Sequence, residues 1–219
     1  MLATTQNETL TESALASLRQ DIVTGVFAPM QSLRIALLKE RYKMGASPLR
    51  EALAQLVTQG FVTNETNRGF RVAPMSKEDL EDITLVRQVV ETQGLASALE
   101  KGGDEWEVGI IAALHRLTLT ARHVYDSREK RLLALDEAHW QFHRSLIAGC
   151  GSPRLMELQQ VYYRQAARYR HVLIDQVVDT DEFVARHDAL AKLLLNRQPE
   201  GAMQALRHHI GLTPGAIYD

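Results

Sequence analysis

The sequence predicts a mainly α protein: an N-terminal winged helix-turn-helix followed by an all-α bundle. Residues 34–72 combine a short helix, a glycine-containing turn, a second helix and two β-rich runs. Beyond Pro74-Met75-Ser76 only long helical periodicities follow, with no strand signals. At 219 residues the chain can bury two modest cores, so two domains are expected, residues 9–74 and residues 77–212.

Residues 1–8 show no periodicity and read as a tail. Thr9-Leu10-Thr11-Glu12 matches the Thr-x-x-Glu capping box, and Leu15, Leu18, Ile22 and Val26 then repeat at helical spacing until Gly25 and Pro29. Arg34–Arg41 reads as a short helix and Tyr42–Ala46 as a tight turn. Ser47 is then the expected N-cap of a second helix, Pro48 its first residue, and Leu49, Ala52, Leu53 and Leu56 its apolar stripe. Helix, short turn with glycine, helix is the pattern of a DNA-reading pair, whose second helix enters the major groove. Arg50 projects near the start of that helix, where base edges and phosphates are reached. After Gly60, Phe61-Val62-Thr63 and Phe70-Arg71-Val72 read as two strands of a wing, with Gly69 in the connecting turn and positive charge from Arg68 and Arg71.

Ser76-Lys77-Glu78-Asp79 opens the first of six helices. It spans about 77–101 through Leu80, Ile83, Val86, Val90 and Leu95 and stops at Gly102-Gly103. The second runs from Asp104 to about Tyr125, and the third over about 128–148. The fourth, capped by Ser152-Pro153, carries Leu155, Leu158, Val161, Tyr162 and Ala166 to about Val178. The fifth covers about Asp181–Asn196, and the sixth starts at Pro199 and ends near Gly211. Short connections between such helices make a bundle.

Charge and composition narrow the classes. Residues 1–75 carry +2 and residues 76–219 carry −4, so a basic front precedes an acidic body, a weak sign of a nucleic-acid partner. No apolar run reaches the roughly 18 residues of a membrane span and no signal peptide is visible. Cys150 is the single cysteine. These features point to a cytoplasmic protein in a reducing compartment, without a membrane partner.

His139 and His143 stand four apart and so share one helix face. Such a pair can hydrogen-bond its neighbours or take two positions on a divalent metal. His187 and His209, on later helices, add two donors of the kind that facing bundle helices contribute to a metal. Sequence spacing leaves their convergence open. His115, His123 and His208 read as surface or packing residues.

Pro48-Leu49-Arg50-Glu51-Ala52-Leu53, followed by Leu56, Gly60 and Arg68-Gly69-Phe70-Arg71-Val72, resembles the DNA-reading domain of GntR-type bacterial transcription factors. Residues 77–212 resemble the FadR-type C-terminal (FCD) domain, a six- or seven-helix sensor and dimerisation bundle. Arg87 and Glu91 match its Arg-x-x-x-Glu, Phe142-His143 its Phe-His, and His187 and His209 its late histidines. The resemblance implies a divalent metal on His143, His187 and His209 at the floor of a pocket for a small carboxylate effector. His139 stands where the family has an aspartate, which tilts the site from hard cations towards Zn²⁺ or Ni²⁺; the cluster could also take the effector directly through N–H groups. Gly45 and Ala46 replace the Ser-Arg that often precedes the recognition helix, so the family's common half-site is not assumed. Gly102–Trp106, Ala148–Ser152 and Ala166–Arg170 are most similar to the glutarate-responsive CsiR-type repressors, which implies a C4–C5 dicarboxylate.

The expected partners are thus operator DNA, a small carboxylate and a second copy of the chain. Ser47, Arg50, Arg68, Gly69, Lys39, Arg41 and Lys43 are the candidate DNA contacts, although Lys39 and Lys43 also fit ordinary solvated charge. Arg87, Arg164, Arg168 and Tyr169 are the candidate effector contacts; with Arg170 the last three line the fourth helix, where one or two of the four would face the pocket, and Arg87 could instead pair with Glu91 one turn on. A metal-dependent enzyme, with Asp136 or Glu137 as its acid or base, and a metal-ion sensor are the rival readings of the same histidines.

Overall fold

The computed structural model describes residues 9–65, 69–173 and 179–218. The chain divides into two compact units, Met1–Ser76 and Lys77–Asp219.

In the first unit, α1 (Leu10–Val23), α2 (Ile35–Tyr42) and α3 (Ala46–Thr58) precede β1 (Val62–Glu65) and β2 (Gly69–Val72). The capping box forms as expected: Thr9 Oγ1 accepts from the Glu12 amide at 3.2 Å, and the Thr9 amide donates to Glu12 Oε2 at 2.8 Å. Leu49, Ala52, Leu53 and Leu56 are fully buried, a single stripe at helical spacing, and α3 packs on α1, whose Leu18 and Ile22 are buried too. Val26 lies beyond the end of α1 and is exposed, contrary to the periodicity.

Ser47 is not the N-cap that the sequence predicts. Lys43 takes a left-handed conformation (φ 54°) directly after α2, and Gly45 is already the extended capping residue. The helix therefore starts at Ala46, and the Ser47 hydroxyl donates to Glu51 Oε1 at 3.3 Å. Pro48 still falls in the first turn, where a missing N–H leaves no carbonyl unsatisfied. The wing strands pair antiparallel with Val62 opposite Val72 and Glu65 opposite Gly69. β1 starts one residue later than expected, with Phe61 buried in the core ahead of it, and runs on to Glu65, while β2 keeps its expected span and adds Gly69. Gly69 has φ +72°, the positive value its turn requires. Arg71 Nη1 donates to the Met30 carbonyl at 3.0 Å and Ser32 bridges to Arg71, tying the wing's base to the loop before α2.

The second unit contains α4 (Lys77–Lys101), α5 (Asp104–Arg122), α6 (Arg128–Ile147), a short 3-10 turn (Ala148–Cys150), α7 (Pro153–Leu173), α8 (Thr180–Leu195) and α9 (Pro199–Tyr218). α4 lies against α7 and α9, while α5 packs on α6 and α8. Leu95, Ala98, Trp106, Phe142, Leu146, Leu190, Leu194 and Leu206 fill the core between them. The expected end of α7 near Val178 lies outside the described residues, and among those described two boundaries differ clearly from the sequence reading. α5 stops at Arg122, three residues early. α9 continues through Gly211 and Pro214 to Tyr218, although Pro214 removes one backbone bond. A neighbouring helix secures its middle, where Gln88 Nε2 of α4 donates to the Arg207 carbonyl at 2.9 Å.

On α7 the expected stripe holds only in part: Ala166 is buried, Leu158 is exposed, Val161 and Tyr162 are half-buried, and Gln159, Tyr163 and Ala167 are buried beside it. Gln159 and the Tyr163 hydroxyl put polar groups on that face, which hides it from a hydrophobic pattern.

The end of α4 is held from outside. Arg197, after α8, donates to the carbonyls of Leu99 and Gly102 at 3.0 and 3.2 Å and to Glu107 at 2.7 Å, with its guanidinium 5.7 Å from the Trp106 ring. Trp106 Nε1 donates to the Ser145 carbonyl at 3.0 Å. A Cβ on Gly102 would run into the Trp106 ring and come within 2.6 Å of the Ala98 carbonyl oxygen. Gly102→Ala is therefore expected to destabilise the chain by about 1–3 kcal/mol, the usual range for overpacking. Urea denaturation checks this, and an unchanged midpoint would show that the junction yields.

Candidate functional site

His139 and His143 on α6, His187 on α8 and His209 on α9 turn one ring nitrogen each into a common space, all within 4.8 Å of one another. His143 Nε2 is central, 3.1 Å from His139 Nε2 and 3.3 Å from His209 Nε2. The fold thus brings together all four histidines singled out by the sequence. His115, His123 and His208 are exposed.

Outer contacts fix which nitrogen faces inward. The Glu91 carboxylate, 3.0 Å from His143 Nδ1, can only accept, so that nitrogen carries the proton and Nε2 presents a lone pair. His187 Nδ1 likewise donates to the Phe183 carbonyl at 2.7 Å, and its Nε2 is buried with no hydrogen-bond partner. Tyr163 OH lies 2.8 Å from His139 Nδ1. Burial, then His143 and His187, hold His139 well below its ordinary pKa, and burial with the same neighbouring rings does so for His209. Burial takes His187 down to about 3 against the pull of the Phe183 carbonyl. It also lowers His143, against the Glu91 carboxylate.

Four neutral imidazoles with converging nitrogens and one orphaned buried Nε2 form a donor set that fits a divalent cation. Imidazole suits zinc, copper, iron and nickel better than magnesium or calcium.

Glu91 itself is fully buried. Burial would raise its pKa, but the Arg87 guanidinium and His143 outweigh that and hold the carboxyl at about 2. Arg87 Nε and Nη2 both lie 2.8 Å from Glu91 Oε1. Its donors therefore face Glu91 in this structure, the pairing the sequence offered beside an effector clamp. Arg87 and Arg170 both stand over the Tyr163 ring, 5.1 and 4.3 Å from its centroid.

The α7 candidates fall elsewhere. Tyr169 OH donates to Asp79 Oδ2 at 2.5 Å, and Arg168 has Tyr169 and Asp79 as its electrostatic neighbours. Arg164 is half-buried. With 3.6 residues per turn, Arg170 shares the face of Tyr163, seven residues earlier, and Arg164, Arg168 and Tyr169 do not. Tyr163 is thus the site residue that the sequence reading missed, and helical phase would have found it and singled out Arg170 among the four fourth-helix candidates. Asp136 pairs with Arg170 at 3.1 Å. Glu137 is exposed and accepts from Gln141 at 2.6 Å. An open groove between α5 and α6 is lined by Ala112, Ala113, Arg116 and Arg144 among others, and by none of the four histidines.

In the first unit, Ser47, Arg50, Lys39, Lys43 and Gly69 are exposed. Arg50 stands on the second turn of α3, and Glu51 beside it accepts from Thr11 Oγ1 at 2.9 Å. Arg41 Nε donates to Asp21 Oδ2 at 2.7 Å, which ties α2 to α1. Arg68 lies outside the described residues.

A winged-helix reader followed in one chain by a histidine-lined helical receptor defines a transcriptional regulator. Comparison with known proteins gives the particular family. Residues 10–72 match the gntR family of bacterial regulatory proteins and residues 82–212 match the FCD domain. The chain belongs to the GntR family, whose members bind operator DNA, and carries an FCD domain. The HTH-type transcriptional repressor GlaR of Escherichia coli (strain K12) is 38% identical over 201 residues, 90% of each chain. BphR of Paraburkholderia xenovorans (strain LB400), an HTH-type transcriptional regulator, is 32% identical over 92% of this chain and 82% of its own. The structure of E. coli McbR/YncC superposes with a TM-score of 0.78 at 20% identity, covering 96% of this chain and 97% of that one. A GntR regulator from Rhodococcus sp. RHA1 gives 0.74 at 23% identity, over 94% and 96%. Among the described residues no helix is long and apolar enough to cross a membrane.

Proposed function

We propose that this regulator is a homodimeric repressor released from its operator by a small carboxylate, a C4–C5 dicarboxylate such as glutarate. The name of GlaR, a repressor, supports the sign of regulation. The observation that carries the receptor half is the gathering of four imidazole nitrogens within 4.8 Å. His139, His143, His187 and His209 would hold a divalent cation, zinc or nickel by their donor chemistry, and such a cation supplies a positive Lewis-acidic centre for a carboxylate oxygen. Glu91 orients His143, and Tyr163 orients His139. Arg87 fixes Glu91 and so acts on the site through it. The pairing of Asp136 with Arg170 and of Glu137 with Gln141 favours binding over turnover.

In the reader, two recognition helices about 34–36 Å apart would enter successive major grooves of a near-palindromic site. Ser47 and Arg50 would lie nearest the base edges, with Lys39, Lys43 and Gly69 towards the backbone. Arg50→Ala is expected to weaken binding to a selected operator by about 1–3 kcal/mol and to relax its sequence preference. Fluorescence anisotropy with DNA selected from a random library checks this, and a wild-type affinity would remove Arg50 from the reading set.

The decisive test of the whole reading titrates C4–C6 acids against operator binding at constant metal. Release by a dicarboxylate supports it. Sensitivity to the metal alone would make the chain an ion sensor, and consumption of the acid would make it an enzyme.

A further inference from the structure

We infer that Arg170 is the receptor's second carboxylate-binding group, occupied by Asp136 until a diacid displaces it. The inference rests on the reading above, that the imidazole cluster accepts one carboxylate.

Arg170 leaves α7 two turns beyond Tyr163 and lies with its guanidinium carbon 4.3 Å from the Tyr163 ring centroid. The hydroxyl of that ring is 2.8 Å from His139 Nδ1, so the cation borders the wall of the histidine cluster. Asp136 precedes His139 by three residues and His143 by seven, which puts all three on one face of α6. Asp136 and Arg170 meet through one contact, Nη2 to Oδ1 at 3.1 Å, with side chains 25% and 13% exposed. Arg170 Nη1 is buried and has no hydrogen-bond partner. Guanidinium normally offers carboxylates two parallel N–H groups. Here one is used and its neighbour is left unsatisfied, an unfavourable state for a buried donor. Arg87, the other guanidinium on the Tyr163 ring, is already committed to Glu91.

Arg170 therefore keeps buried donor capacity beside the Tyr163 ring that borders the histidines, and its present partner is a partly exposed, singly bonded carboxylate of the protein. An acid with two carboxylates can place one at the cluster and exchange the other for Asp136. A monoacid of the same length satisfies only the first position. The exchange also undoes one of the links between α6 and α7.

The test is calorimetric titration of the zinc-loaded full-length chain with glutarate and with pentanoate, its monoacid counterpart. Wild type is expected to prefer glutarate. Arg170→Gln should weaken glutarate binding by about tenfold or more, roughly one decade of affinity, and leave pentanoate and zinc stoichiometry unchanged. Asp136→Asn should tighten glutarate several-fold without altering pentanoate. Equal losses for both acids in Arg170→Gln, or an unaltered preference for glutarate, overturn the assignment. Should Arg170→Gln fail to fold, Asp136→Asn decides, and an unchanged or reduced preference for the diacid counts against the exchange. If wild type binds neither acid, the carboxylate reading falls and this assignment with it; if it binds glutarate with variants that keep the preference, only Arg170 loses its role.

Discussion

Glu91→Ala is expected to destabilise the receptor unit by about 3–5 kcal/mol, the usual loss when one partner of a buried ion pair is removed. Glu91 is fully buried and Arg87 only 3% exposed, so the variant leaves a cation inside the bundle with its carboxylate gone. The same change strips His143 Nδ1 of its acceptor. Urea denaturation of the full chain measures the loss, read from the second transition if the units unfold separately. Replacing both partners by apolar residues, as in Arg87→Met with Glu91→Leu, should recover most of the stability, because no charge is then buried unpaired. The recovered fold should still bind metal more weakly than wild type, since nothing orients His143. A Glu91→Ala protein within about 1 kcal/mol of wild type would show that water reaches Arg87, below the range expected for a buried pair.

His143→Ala is expected to abolish stoichiometric metal binding. Its Nε2 is the one nitrogen that faces two other ring nitrogens directly, at 3.1 and 3.3 Å. Losing an orienting partner typically weakens a site by about 10–100-fold, and losing the central donor should exceed that. Metal analysis after gel filtration, with competition against a chromogenic chelator, gives the result. Wild type should retain one zinc or nickel per chain and raise its melting temperature with added metal, and the variant should do neither. Equal metal content in both proteins would mean that the imidazoles close the core through hydrogen bonds alone.

How much of this was legible in the sequence depended on whether residue type and helical phase agreed. In α3 they agree, so Leu49, Ala52, Leu53 and Leu56 point to the core from the pattern alone. The same holds for the Thr9 capping box and for α4, whose span emerges as expected. The histidines were legible as a set because His139 and His143 share one helix face and His187 and His209 add two more, and their meeting depended on the fold.

Type and phase disagree on α7. Leu158 looks like core and is exposed, and Tyr162 is only half-buried, while Gln159 and Tyr163 look like surface and are fully buried. A helix that lines a polar site inverts the pattern by which buried faces are found. Glu91 misleads in the same way, since an acid one turn from an arginine normally marks solvent. Its phase with Ile83, Arg87 and Leu95 was the signal for burial. The start of α3 failed for another reason: a left-handed Lys43 has no signature in residue type, so Ser47 looked like the cap.

The separation of the imidazole donors along the chain has one more consequence. His143 and His209 are 66 residues apart, yet their nitrogens lie 3.3 Å apart. An ion shared by them acts as a reversible cross-link between distant positions, and the loop-closure entropy it opposes grows only slowly with that length. Metal supply would then set the cooperativity with which α6, α8 and α9 come apart, and a regulator starved of the ion would melt as a looser assembly of helices.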